Sequence, residues 1–93
     1  MEIQFYRDPE TDLPHCLDHG VAEQEVMELF SNAPLRLRGR GDSYLALGQT
    51  DSGRYLKVIY RIEDDAVFVI TAYDLRGRAL ASYKRRLRRK GGR

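Results

Sequence analysis

Residues 55–73 read YLKVIYRIEDDAVFVITAY, and the pattern in that stretch decides the fold. Apolar and polar residues alternate from Tyr55 to Ile62, the period of a half-buried strand, and residues 66–73 form the most apolar run of the chain. Glu63, Asp64 and Asp65 between them are turn residues, so the stretch predicts an antiparallel hairpin. Working toward the N-terminus, DSGR at residues 51–54 predicts another tight turn, and YLALGQT before it a further strand. The LRLR that begins at Leu35 also alternates, then dissolves into the Gly-rich GRGDS.

The flanks read differently. EIQFYR near the start suits a short strand, DPETDLP a turn, and residues 15–19 a brief turn or helix stopped by Gly20. In VAEQEVMELFSNAP, Ala22, Val26, Met27, Leu29 and Phe30 recur at helical period. Glu23 and Glu25 suit the positive end of that helix, and Asn32 with Pro34 ends it. Near the C-terminus, Leu80, Tyr83, Lys84 and Leu87 share one helical stripe. The expectation is an α+β fold. It has a small antiparallel sheet of three to four strands, an amphipathic helix over 21–31 packed on one face, and a basic C-terminal helix.

Ninety-three residues suffice for one domain, spanning 1–93, with a basic extension at 84–93. A single cysteine, Cys16, excludes an internal disulfide, and no Cys/His array of zinc-site spacing is present, so no metal or cofactor is expected. The start lacks the pattern of a signal peptide and no apolar run is long enough for a bilayer, which predicts a cytoplasmic protein without a membrane partner. Charge is sharply divided. Up to Leu75 there are seven Lys and Arg against fourteen Asp and Glu; from Arg76 onward there are nine basic residues and no acidic one. Such a division suits an acidic body with an arm for a polyanion, although arm and body could also neutralise one another.

Strand parity locates a working face. With Leu56, Val58, Tyr60 and Ile62 directed to the core, Tyr55, Lys57, Ile59 and Arg61 share the other side. Placing Phe68, Ile70 and Ala72 inward sets Val67, Val69, Thr71 and Tyr73 beside Lys57 and Arg61, and Leu45 and Leu47 inward sends Tyr44 outward. Tyrosines that stack on bases, beside cations that hold phosphate, suit single-stranded RNA. Tyr55, Lys57, Arg61 and Tyr73 are therefore the predicted RNA-binding residues of the sheet. The alternative is that the C-terminal helix covers this face, with Leu80 and Leu87 on Ile59 and Val69. Lys84, Arg85, Arg86, Arg88, Arg89 and Lys90 extend the predicted contact; they exceed what the helix dipole alone would favour. RNA is the expected ligand, with DNA or an acidic protein as the alternative.

Several short motifs, taken in order, resemble the BrnT family of small toxins, which share a RelE-like ribonuclease fold and pair with DNA-binding antitoxins. They are Asp8-Pro9, His19-Gly20-Val21 before an acidic helix, Gly48-Gln49-Thr50 with Gly53-Arg54, Ile70-Thr71-Ala72-Tyr73, and Tyr83. The chain departs from that family at Tyr73, where an Arg is usual, and before Tyr83, where an acidic residue is missing. The resemblance implies a metal-independent endoribonuclease of a toxin–antitoxin system, or a diverged relative that has lost cleavage, with a cognate antitoxin as partner. Cleavage of that type uses the RNA 2′-hydroxyl as nucleophile. His19, Arg54 and Tyr83 are the candidate catalytic residues it implies: His19 to move a proton, Arg54 to hold phosphate, Tyr83 to stack or donate a proton. Two of them have plainer readings, His19 as part of the turn before Gly20 and Arg54 as the end of a hairpin. Oligomeric state is not legible.

Overall fold

The structure, a computed structural model, describes residues 2–91. In chain order it has strand β1 (Ile3–Phe5), a 3-10 helix at His15–His19, helix α1 (Glu23–Ser31), strands β2 (Leu35–Arg38), β3 (Tyr44–Gln49), β4 (Tyr55–Glu63) and β5 (Ala66–Asp74), and helix α2 (Gly77–Gly91). The α+β class and both helices are as expected, with α1 starting two residues later than predicted. The sheet is larger than expected and mixed. Its order is β1-β5-β4-β3-β2, four strands forming an antiparallel meander while β1 runs parallel to β5 along one edge. Parallel pairing of β1 joins the two ends of the domain, which no local pattern announces.

Turn chemistry explains the meander. Asp64 and Asp65 both take positive φ (51° and 65°), the geometry that lets a two-residue loop follow the twist of its strands. Between β3 and β4, Gly53 takes φ 94°, and the buried Thr50 hydroxyl accepts the Arg54 N–H at 3.1 Å. Gly20, in the left-handed region at φ 74°, ends the 3-10 helix.

The first face of the sheet carries the main core. Leu56, Val58 and Tyr60 of β4, Ala46 of β3 and Val67, Val69 and Ala72 of β5 pack there with Val26 and Leu29 of α1 and with Cys16. All are fully buried, and each large aliphatic among them contributes about 1.5–3 kcal/mol of burial. α1 approaches closely because Gly48 has no side chain: a Cβ there would stand 3.3 Å from Leu29 Cγ and from Pro34 Cβ. The end of α1 is latched to the β3–β4 hairpin, Asn32 Nδ2 donating to Gln49 O and Asp51 Oδ1 and the Glu28 carboxylate accepting the Asp51 N–H.

Parity fails along half of β5, for a physical reason. Ile59 pairs with Thr71 but Tyr60 pairs with Val69, so Ile70 is an extra residue without a partner, a β-bulge. The bulge reverses the faces on its N-terminal side. Val67 and Val69 are core residues rather than neighbours of Lys57, and Phe68 pairs with Arg61 on the second face. Ala72 and Tyr73, beyond the bulge, lie as predicted. Ile62, expected in the core, is exposed, and Tyr44 stacks on Tyr60 on the α1 side with ring centroids 5.6 Å apart.

Helix α2 covers only the other half of the second face. Leu47, Leu75 and Tyr83 form a second, smaller core with Leu35, Leu37, Tyr55 and Leu80. α2 thus does not rest on Ile59 and Val69, and Leu87 is exposed. No helix among the described residues is long and apolar enough to cross a membrane.

Candidate nucleic-acid interface

Because α2 stops short, the second face beside β5 is left open. Lys57 pairs with Tyr73 across β4 and β5, its Nζ 5.7 Å from the ring centroid. Arg61 pairs with Phe68, with Cζ 5.6 Å from that ring. Each cation lies over an aromatic face, where the ring quadrupole favours it. Arg61 also forms an exposed ion pair with Glu63. Arg61 Nε and Thr71 Oγ1 are shielded from water and have no hydrogen-bond partner among the described residues.

The 3-10 helix packs along β5 beyond the end of β1 and supplies the rim of this face. There the His19 ring meets Tyr73 edge to face, with centroids 5.3 Å apart. His19, Tyr73, Asp74 and Arg76 line a shallow depression of about 280 Å³. Across the face, Lys57 and Arg86 border a second depression of about 200 Å³ beneath α2, floored by leucines and Tyr83.

Arg54 does not project into either depression. Its Nε donates to Asp74 Oδ1 at 2.8 Å, and its Nη1 donates to Glu25 Oε1 at 2.8 Å and to Gly20 O at 3.0 Å. Glu25 also accepts the Ala22 N–H, which caps α1. One guanidinium therefore ties the β3–β4 hairpin, the end of β5, the start of α1 and the Gly20 turn together. These charge-assisted bonds raise the Arg54 pKa and hold the Asp74 carboxyl below its ordinary range; Arg76 adds to the latter. With two carboxylates already on it, the Arg54 charge is balanced within the protein.

The other predicted residues separate into groups. Tyr83 is 5% exposed, and burial pushes its phenol pKa up. Its ring meets Tyr55 edge to face, and Lys84 Nζ lies 5.0 Å from the Tyr55 ring centroid, so two residues of α2 engage Tyr55. His19 and Tyr83 line different depressions. Lys84, Arg85, Arg86, Arg88 and Arg89 are exposed on α2. The Lys90 side chain and residues 92–93 of the predicted arm lie outside the described residues. Phe68 is the residue of this face that sequence reasoning missed, because the bulge that turns it outward has no local signature.

The fold and this face define a small α+β domain with an open aromatic and cationic sheet surface flanked by a basic helix. Residues 9–74 match the family described as Domain of unknown function (DUF4258), and the chain belongs to that family. No curated protein and no solved structure matches it. The matched span runs from the first turn to the end of β5. It includes the Arg54 brace, His19, Lys57, Arg61 and Tyr73, while Tyr83 and the cations of α2 lie beyond it.

Proposed function

We propose that the chain is a single-strand RNA-binding domain whose binding surface is the uncovered part of the sheet, extended by the cations of α2. The observation that carries this reading is the pairing of Lys57 with Tyr73 and of Arg61 with Phe68 on the part of the sheet face that α2 leaves open. Aromatic rings on such a surface offer stacking to any base, and the cations need move only slightly from ring to phosphate. The exposed Lys and Arg of α2 continue the positive track, whereas the acidic residues of α1 lie on the opposite face of the sheet. A BrnT-like ancestry that has lost cleavage agrees with the engagement of Arg54 by two carboxylates and the burial of Tyr83.

The test is fluorescence anisotropy with a labelled 10-nucleotide oligouridine at low salt. Tyr73→Ala should weaken binding by about tenfold, within the roughly 1–3 kcal/mol that stacking of one base contributes. An equal change with a duplex of the same length, or no effect of Tyr73→Ala, refutes sheet-face recognition. The bound RNA should remain intact on a denaturing gel. Metal-independent cutting would instead restore the ribonuclease reading, and binding only to duplex DNA or to an acidic protein would establish the alternative.

A further inference from the structure

The N-terminal turn and the 3-10 helix gather three groups that the RNA face does not use. Asp8, His15 and Asp18 each bring one ligand-type atom to within 4.8 Å of the other two. His15 Nδ1 stands 3.2 Å from Asp18 Oδ2. With metal–ligand bonds of about 2.1 Å, neighbouring ligands are about 3.0 Å apart in an octahedral shell and about 3.4 Å apart in a tetrahedral one. The observed spacing falls between the two, and small side-chain rotations would bring the third atom in.

The backbone around this trio is closed on itself. Asp8 N donates to Leu13 O at 2.9 Å, Asp12 N to Asp8 O at 2.7 Å, and His15 N to Tyr6 O at 3.0 Å. Asp8 Oδ1 accepts the Glu10 N–H at 2.9 Å, which orients the carboxylate as outer hydrogen bonds orient metal ligands. The nearest arginine in sequence, Arg7, is directed elsewhere, donating to Asp12 O and facing Glu23. Two carboxylates balance a divalent cation in charge, and the imidazole adds a nitrogen donor. One nitrogen among oxygens favours a borderline ion over Mg2+, which prefers oxygen throughout.

We propose that Asp8, His15 and Asp18 form a binding site for a divalent transition-metal ion of the zinc type, its remaining positions open to water. The ion would clip the N-terminal turn to the 3-10 helix, the segment that also presents His19 to Tyr73. The inference stands independently of the RNA reading.

Isothermal titration of the full chain with Zn2+ at pH 7, in a buffer that does not chelate, tests it. One ion per chain should bind with micromolar affinity and raise the unfolding temperature, since binding to the folded state stabilises it. His15→Ala should weaken uptake by at least about tenfold, as loss of a direct ligand costs no less than loss of an outer partner. Asp18→Asn, at a mostly exposed position, should do the same and tests the site even if His15→Ala fails to fold. Glu10→Gln, in the same turn but with an exposed side chain outside the trio, should leave uptake unchanged. No saturable binding up to millimolar Zn2+, or uptake equal to the parent chain's in folded Asp18→Asn, overturns the proposal. So does loss of uptake in folded Glu10→Gln.

Discussion

Arg54→Ala should destabilise the domain by about 2 kcal/mol and lower its unfolding temperature by about 10 °C. The substitution leaves the Glu25 carboxylate without its cation and Asp74 with only the exposed Arg76, and each carboxylate is only about a quarter exposed, at 25% and 27%. Breaking a fully buried pair costs about 3–5 kcal/mol, and partial access to water reduces that figure here. Arg54→Lys should fall between, because an ammonium cannot reproduce the three fixed N–H directions used toward Asp74, Glu25 and Gly20. The effect has a defined pH dependence. Asp74 is held below its ordinary carboxylate range, so the stability it contributes is present above the unfolded value near pH 3.9. That stability is lost as pH falls through the lower folded value. The gap between parent and Arg54→Ala in thermal unfolding should therefore narrow in strong acid. A gap below about 0.5 kcal/mol at neutral pH would show that the brace is immaterial.

Deleting residues 84–93 should remove most of the salt dependence of RNA binding. If about six phosphates meet the arm, log K falls against log salt with a slope near −4 for a single strand. That slope corresponds to a loss of about 250-fold in affinity between 50 and 200 mM salt. The truncation keeps Leu75, Leu80 and Tyr83, which form the small core against Leu47, and removes an exposed Leu87 with the cations around it. It should fold, which circular dichroism checks. A folded truncation with an unchanged slope would assign the phosphate contacts to the sheet alone.

What could be read from the sequence is what neighbouring residues decide together. The two hairpins were legible because Asp64, Asp65 and Gly53 supply the backbone conformations that tight turns demand, and alternation in β4 fixed which of Leu56, Val58 and Tyr60 are buried. The helical period of α1 and its stop at Asn32 were legible for the same reason. Features that depend on distant partners were not. The β1–β5 pairing joins residues 3–5 to 67–69, and the bulge at Ile70 arises from how β5 fits β4. One extra residue was enough to exchange the faces of Val67, Phe68 and Val69. Likewise the sequence leaves Arg54 as either a phosphate clamp or the end of a hairpin, and only the fold brings Glu25, Asp74 and Gly20 to it. Asp8, His15 and Asp18, at spacings unlike any zinc motif, come together only through the folded turn.

The central claim is that RNA lies on the uncovered sheet face, and a nuclear magnetic resonance titration of the isotopically labelled chain with oligouridine tests it most directly. Saturable shifts should appear at the amides of Lys57–Arg61 and Phe68–Tyr73, continue into α2 and spare Glu23–Ser31 on the opposite face. Shifts confined to α2, or centred on Glu23–Ser31 while β4 and β5 remain silent, would contradict it.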